Sequence, residues 1–181
     1  MAEIVADVEV DAAPPDVWDR LMDWERQGEW MPATRVRWTA AGGRGVGGGI
    51  EARTGVGPVR FLDTMVITEW SPPHRCTVRH TGRLVRGAAA FEVFELPGGR
   101  SRFVWSEWIE PPLGLLGQVG LAAVRPLLRA GLRHALLRFA RQMGPAEAAR
   151  ERGGREQGGG EQGGRERGGR EQGERGRGGH E

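Results

Sequence analysis

Few residues in this chain could do chemistry, and most of them lie in its middle. His74, Cys76 and His80 fall at even spacings along one stretch. On a β-strand such spacing puts side chains on one face, so the set could in principle meet a metal ion. Residues two apart on a strand are separated by about 6.6 Å, and residues four apart by twice that. His80 is then too far from the other two to share an ion without a bend. No metal is expected here, only a buried thiol and a histidine in or near an interior space. Glu107 shares strand parity with Phe103, Trp105 and Ile109. If that face is inward, a carboxylate enters an apolar interior. The chain has no lysine, so an arginine or His80 must pair with Glu107, or its pKa rises. Such a group could act as a general base. The opposite parity, Val104, Ser106 and Trp108, is nearly as apolar, so both orientations stay open. Arg125 falls at the edge of an apolar helical stripe beside Pro126, where it could reach a cavity mouth and pair with an anionic ligand group. Glu107, His80 and Arg125 are the weak candidates for catalysis, and the sequence does not bring them together.

Two further patterns read as structure or surface. Gly43-x-Gly45-x-x-Gly48 matches a dinucleotide-binding string, but that site needs a helix next, with its N-terminus on the pyrophosphate. Ile50 to Thr54 follows instead and reads as a strand, so the glycines mark a connection. From Gly153 onward the chain is an imperfect five-residue repeat of Gly, Arg, Glu and Gln. RGG-like segments can bind single-stranded nucleic acid. Here glutamates match the arginines in number and cancel the field such binding requires. No specific nucleic-acid partner is expected, and residues 144–181 are read as a disordered tail.

Elements must position the candidate groups. Ile4 to Val10 alternates as a half-buried strand. Pro14 and Pro15 suit a helix start, with Val17, Trp18 and Leu21 at helical spacing. Asp23 to Trp30 is a second short helix or turn. Strands follow from about Arg35, Ile50, Phe61, Arg75, Leu84 and Arg102, with Gly98-Gly99 as a hairpin turn. Leu113 to Met143 is the only long helical pattern. Leu121, Val124, Leu128, Leu132, Ala135, Leu136, Phe139 and Met143 form its apolar stripe. Leu127 and Leu137 lie off that stripe and suggest a second contact surface. Pro126 must kink this helix or start it afresh. Meandering strands closed by one helix predict an α+β fold: a curved antiparallel sheet of about six to seven strands around a long C-terminal helix, with two short helices after the first strand. The space inside such a grip is too wide for side chains to fill, which leaves a pocket.

Composition sets the outer bounds. Residues 1–143 are ample for one core. The basic residues are all Arg, with acids interspersed, and the net charge is +2. The high pI of about 9.8 reflects arginine's permanent charge rather than a nucleic-acid footprint. One cysteine excludes an internal disulfide and fits a reducing compartment. MAEIVADVEV carries acids where a signal peptide has a basic start, and no run of about 18 apolar residues spans a membrane. A cytoplasmic location is expected. Oligomeric state is not readable.

Three stretches carry a family resemblance. They are VEVDAAPPDVWDRLMDWERQGEW (Val8 to Trp30), ITEWSPPHRCTVRH (Ile67 to His80) and GGRSRFVWSEW (Gly98 to Trp108). Over residues 1–143 the chain resembles the START-like, or polyketide cyclase/dehydrase and lipid-transport, superfamily of helix-grip proteins. The resemblance implies a cavity for a hydrophobic small molecule: a lipid, a quinone or a polyketide-like compound. Trp38, Met65, Trp70, His80, Phe91, Trp105, Leu128 and Leu132 are the expected lining. No cofactor is implied. With no Tyr or Lys and no nucleophile motif, a non-catalytic binder or carrier is the favoured expectation. A polyketide-type cyclase or dehydratase is the alternative.

Overall fold

The computed structural model describes residues 2–82, 85–111 and 114–144. The expected tail, from 145 on, lies outside the described residues, as do Arg83 and Leu84 at the expected start of the sixth strand. Seven strands form one antiparallel sheet: β1 (Ala2–Val10), β2 (Thr34–Ala40), β3 (Gly49–Val56), β4 (Val59–Ser71), β5 (Arg75–His80), β6 (Gly87–Leu96) and β7 (Arg100–Ile109). Their spatial order is β1-β7-β6-β5-β4-β3-β2. Every neighbour except the β1–β7 pair is consecutive in sequence, so short turns join β2 through β7 as a meander. Helix α1 (Pro14–Leu21) and a 3-10 segment (Trp24–Glu29) follow β1, and helix α2 (Gly114–Gln142) follows β7. The expected α+β helix grip is what forms. No described helix is long and apolar enough to cross a membrane.

Local chemistry explains these boundaries. Pro14 and Pro15 open α1, where a missing N–H costs nothing. The β6–β7 turn needs positive φ at Gly98 and Gly99, at 83° and 71°. The β2–β3 connection is made by a 3-10 turn and glycines, with no helix after it. Within it Gly43 has φ of 65° and accepts a 2.7 Å hydrogen bond from Trp24 Nε1. A Cβ at Gly43 would overlap the Trp24 ring, so the glycines serve turn geometry and close packing.

The sheet has one apolar face and one polar face. Ile4, Ala6 and Val10 alternate with exposed Glu3, Val5, Asp7 and Glu9 on β1. Phe103 and Trp105 face inward with Cys76, Val78, Phe91 and Val93, which settles the parity of the last hairpin and turns Glu107 inward. One end of this face is solidly packed. Trp30, fully buried, meets Phe103, Trp105 and Phe139 edge-on, with ring centres 5.2–6.5 Å apart. Such edge-to-face contacts add to the area they bury. Val17 and Leu21 from α1 and Leu136 and Phe139 from α2 close this core.

Helix α2 does not pack evenly. Ala135, Leu136, Phe139 and Met143 are buried, whereas Val124 and Leu128 are exposed by 46% and 41%. The helix is continuous through Pro126. Of the expected stripe, only the C-terminal half closes on the core. Off-stripe Leu127 and Leu137 are exposed.

Candidate functional site

Beyond Phe91 and Trp105 the sheet and α2 separate and leave between them a cavity of about 750 Å³ that opens to solvent. Met65, Val78, Phe91 and Trp105 line its sheet side, and Leu128 and Leu132 its helix side. Three ionisable side chains sit together on the sheet side: Asp63, His80 and Glu107.

Strand register brings them there. His80 on β5 lies opposite Met65 on β4 and Gly87 on β6. Glu107 on β7 lies opposite Ala89 on β6 and Ile4 on β1. Asp63 is two residues from Met65 on β4, hence on the same face. Between His80 and Glu107, β6 presents only Gly87 and Ala89, so nothing bulky stands in the way. His80 Nδ1 is 2.7 Å from Asp63 Oδ2 and Nε2 is 3.3 Å from Glu107 Oε2. Trp105 Nε1 donates to Glu107 Oε1 at 2.8 Å.

An imidazole with a carboxylate at each nitrogen donates from both only when protonated. Burial opposes that charge, but the hydrogen bonds and charges of Asp63 and Glu107 outweigh it and raise the His80 pKa to about 9. At neutral pH His80 is therefore a cation. With both carboxylates ionised the cluster carries a net charge of −1. Asp63 Oδ1 is buried without a hydrogen-bond partner among the described residues.

The expected site residues divide. Met65, His80, Phe91, Trp105, Leu128 and Leu132 line the cavity, with Glu107. Trp38 does not: it is 51% exposed, while Thr34 and Val36 earlier on the same strand β2 do line the cavity. Trp70 does not either. It stacks edge-on against Trp18 at 5.1 Å in the packed half. Arg125 lies outside the cavity, where Nη2 donates to the Glu3 carbonyl at 2.8 Å and ties α2 to β1. His74 lies before β5, its Nδ1 3.2 Å from the Val93 carbonyl. Burial of Cys76, together with the Glu69 charge, pushes its thiol up to about 12, so it is not a nucleophile at neutral pH. Sequence reasoning missed Asp63. Its parity with Met65 and Ile67 was the available signal.

A seven-stranded antiparallel sheet gripping one C-terminal helix, with a cavity between them, defines the helix-grip class. A model of the family described as polyketide cyclase / dehydrase and lipid transport matches residues 1–144. The chain belongs to that family. No curated protein matches it by sequence. Among solved structures, TTHA0849 from Thermus thermophilus superposes with a TM-score of 0.67 at 14% identity, covering 78% of this chain and 97% of that one. The Zhui aromatase/cyclase from Streptomyces sp. R1128 superposes with a TM-score of 0.61 at 18% identity, over 80% of this chain and 97% of that one. CV1439 from Chromobacterium violaceum gives 0.61 at 14% identity, over 80% and 99%. At such identities the likeness is one of fold.

Proposed function

We propose that the protein binds a hydrophobic small molecule (a lipid, a quinone or a polyketide-like compound) in this cavity, as a non-catalytic binder or carrier. The observation that carries the reading is an interior space of about 750 Å³ with mostly apolar walls and one polar cluster. Small-molecule sites run to about 300–1,000 Å³ with a few placed polar groups. An environment-sensitive apolar dye should bind, be displaced by such compounds, and change the fluorescence of Trp105. Leu132→Asp places a carboxylate on the apolar wall and should weaken dye binding at least about tenfold. Dye affinity unchanged by Leu132→Asp would refute the reading.

A second reading, a cyclase or dehydratase, is favoured by the meeting of His80 and Glu107 inside the cavity. In it the Glu107 carboxylate takes the proton from a carbon between two carbonyls. That carbon then bonds to a distant carbonyl carbon of the same chain, whose oxygen takes up a proton. Multiple turnover of a linear polyketide, lost in Glu107→Gln, would assign the protein to this class. Binding without turnover assigns it to the first.

A further inference from the structure

We infer that the cavity selects ligands whose polar end donates hydrogen bonds, apolar amines and hydroxyl compounds, and rejects carboxylates of the same shape. This rests on the ligand-binding reading above and adds the chemistry of the polar end.

On the sheet side of the cavity the hydrogen-bond donors are already in use, whereas His134, on α2, is a further imidazole lining the opposite wall. No arginine is found among the described residues that line the cavity, and the chain has no lysine. The cationic His80 is held by two carboxylates, so it has no N–H left for a ligand. The Trp105 N–H is taken by Glu107, and the Trp24 N–H by the Gly43 carbonyl. Acceptors remain in surplus. Each Glu107 oxygen takes one hydrogen bond and can take another. Asp63 is 7% exposed, and its Oδ1 is unpartnered among the described residues. A ligand ammonium or hydroxyl arriving at Glu107 supplies what this end lacks. A ligand carboxylate meets two carboxylates with one shared cation between them.

The exterior has the opposite preference. The chain carries a net charge of +2, and the described α2 sequence contains five arginines and no acid. Adventitious surface binding would therefore favour an acid, so preference for an amine reports on the cavity.

The test uses dodecylamine, dodecanol and dodecanoate, titrated below their aggregation limits at pH 7 and followed by tryptophan fluorescence. A charge-assisted hydrogen bond changes affinity by about 10- to 100-fold. Dodecylamine should bind tightest, dodecanol next and dodecanoate weakest, with at least about a tenfold gap between amine and acid. Glu107→Gln should narrow that gap by weakening the amine and strengthening the acid. Asp63→Asn, one charge fewer at the same end, provides the same reading should Glu107→Gln fail to fold. Dodecanoate binding as tightly as dodecylamine overturns the inference, as does a gap that either folded variant leaves unchanged. Failure of all three probes to bind overturns the ligand-binding reading itself, a different result.

Discussion

Raising the pH from 6.5 to 9.5 should weaken the fold through His80. In the folded protein its pKa is raised to about 9, against about 6.5 for an unfolded chain. The native state holds the proton more tightly. The stabilisation is therefore complete below pH 6.5 and disappears as pH climbs through about 9. At about 1.4 kcal/mol per pH unit the gap is worth about 3 kcal/mol, most of it gone by pH 8.5. His80 is only 8% exposed, so solvent screens little of this. Cys76, whose folded pKa is also raised, loses stability in the same direction only above its unfolded value of about 8.5. A Cys76→Ala background removes it. Urea unfolding followed by tryptophan fluorescence at half-unit pH steps reads the slope directly. The expected slope between pH 7 and 8.5 is about 1 kcal/mol per unit in the parent and near zero in the same chain with His80→Asn. Parallel curves for the two proteins would show that His80 is not held as a cation between Asp63 and Glu107.

Two other perturbations test the frame around the site. Gly87 has φ of 127°, and a Cβ there would overlap the Trp108 carbonyl oxygen. Gly87→Ala should cost at least about 3 kcal/mol, read as a drop in the thermal midpoint; an unchanged midpoint would contradict the described β6–β7 approach. Leu136 is fully buried, so Leu136→Ala should cost about 2–5 kcal/mol. Leu132 borders open space, so Leu132→Ala should cost only about 1–2 kcal/mol. Equal urea midpoint shifts for the two would mean that the cavity is filled.

The fold was legible because its signals are periodic. Alternation marked the strands, the Gly98-Gly99 turn marked the hairpin, and the 3.6-residue stripe marked α2. The site was half legible. Even spacing placed His80 on an inward face, and parity tied Glu107 to Trp105. Three errors have physical causes. Asp63 was missed because a carboxylate at an inward position looks like a solvent residue until its partner, 17 residues away, is known. Arg125 sits at the stripe's edge, but a helix stripe does not say which half of the helix meets the sheet. Trp70 does face inward, because a bulge between Ile67 and Glu69 in β4 shifts the register and sets it opposite Cys76. But strand pattern does not say which end of the sheet is packed, and Trp70 lies at that end against Trp18. Pairing, not pattern, decides such positions.

The uneven seating of α2 has an evolutionary consequence. Leu136 and Phe139, on its last turns, and Met143, just beyond it, are buried in the core, whereas Leu128 and Leu132, before them, line the cavity. Changes at well-separated sites without shared partners act additively. Selection can therefore rework residues near Leu128 for a new guest while the other end of the same helix goes on securing the fold. One continuous element thus holds two separable roles, an anchor and an adjustable wall, so that change at the wall carries little risk to the fold.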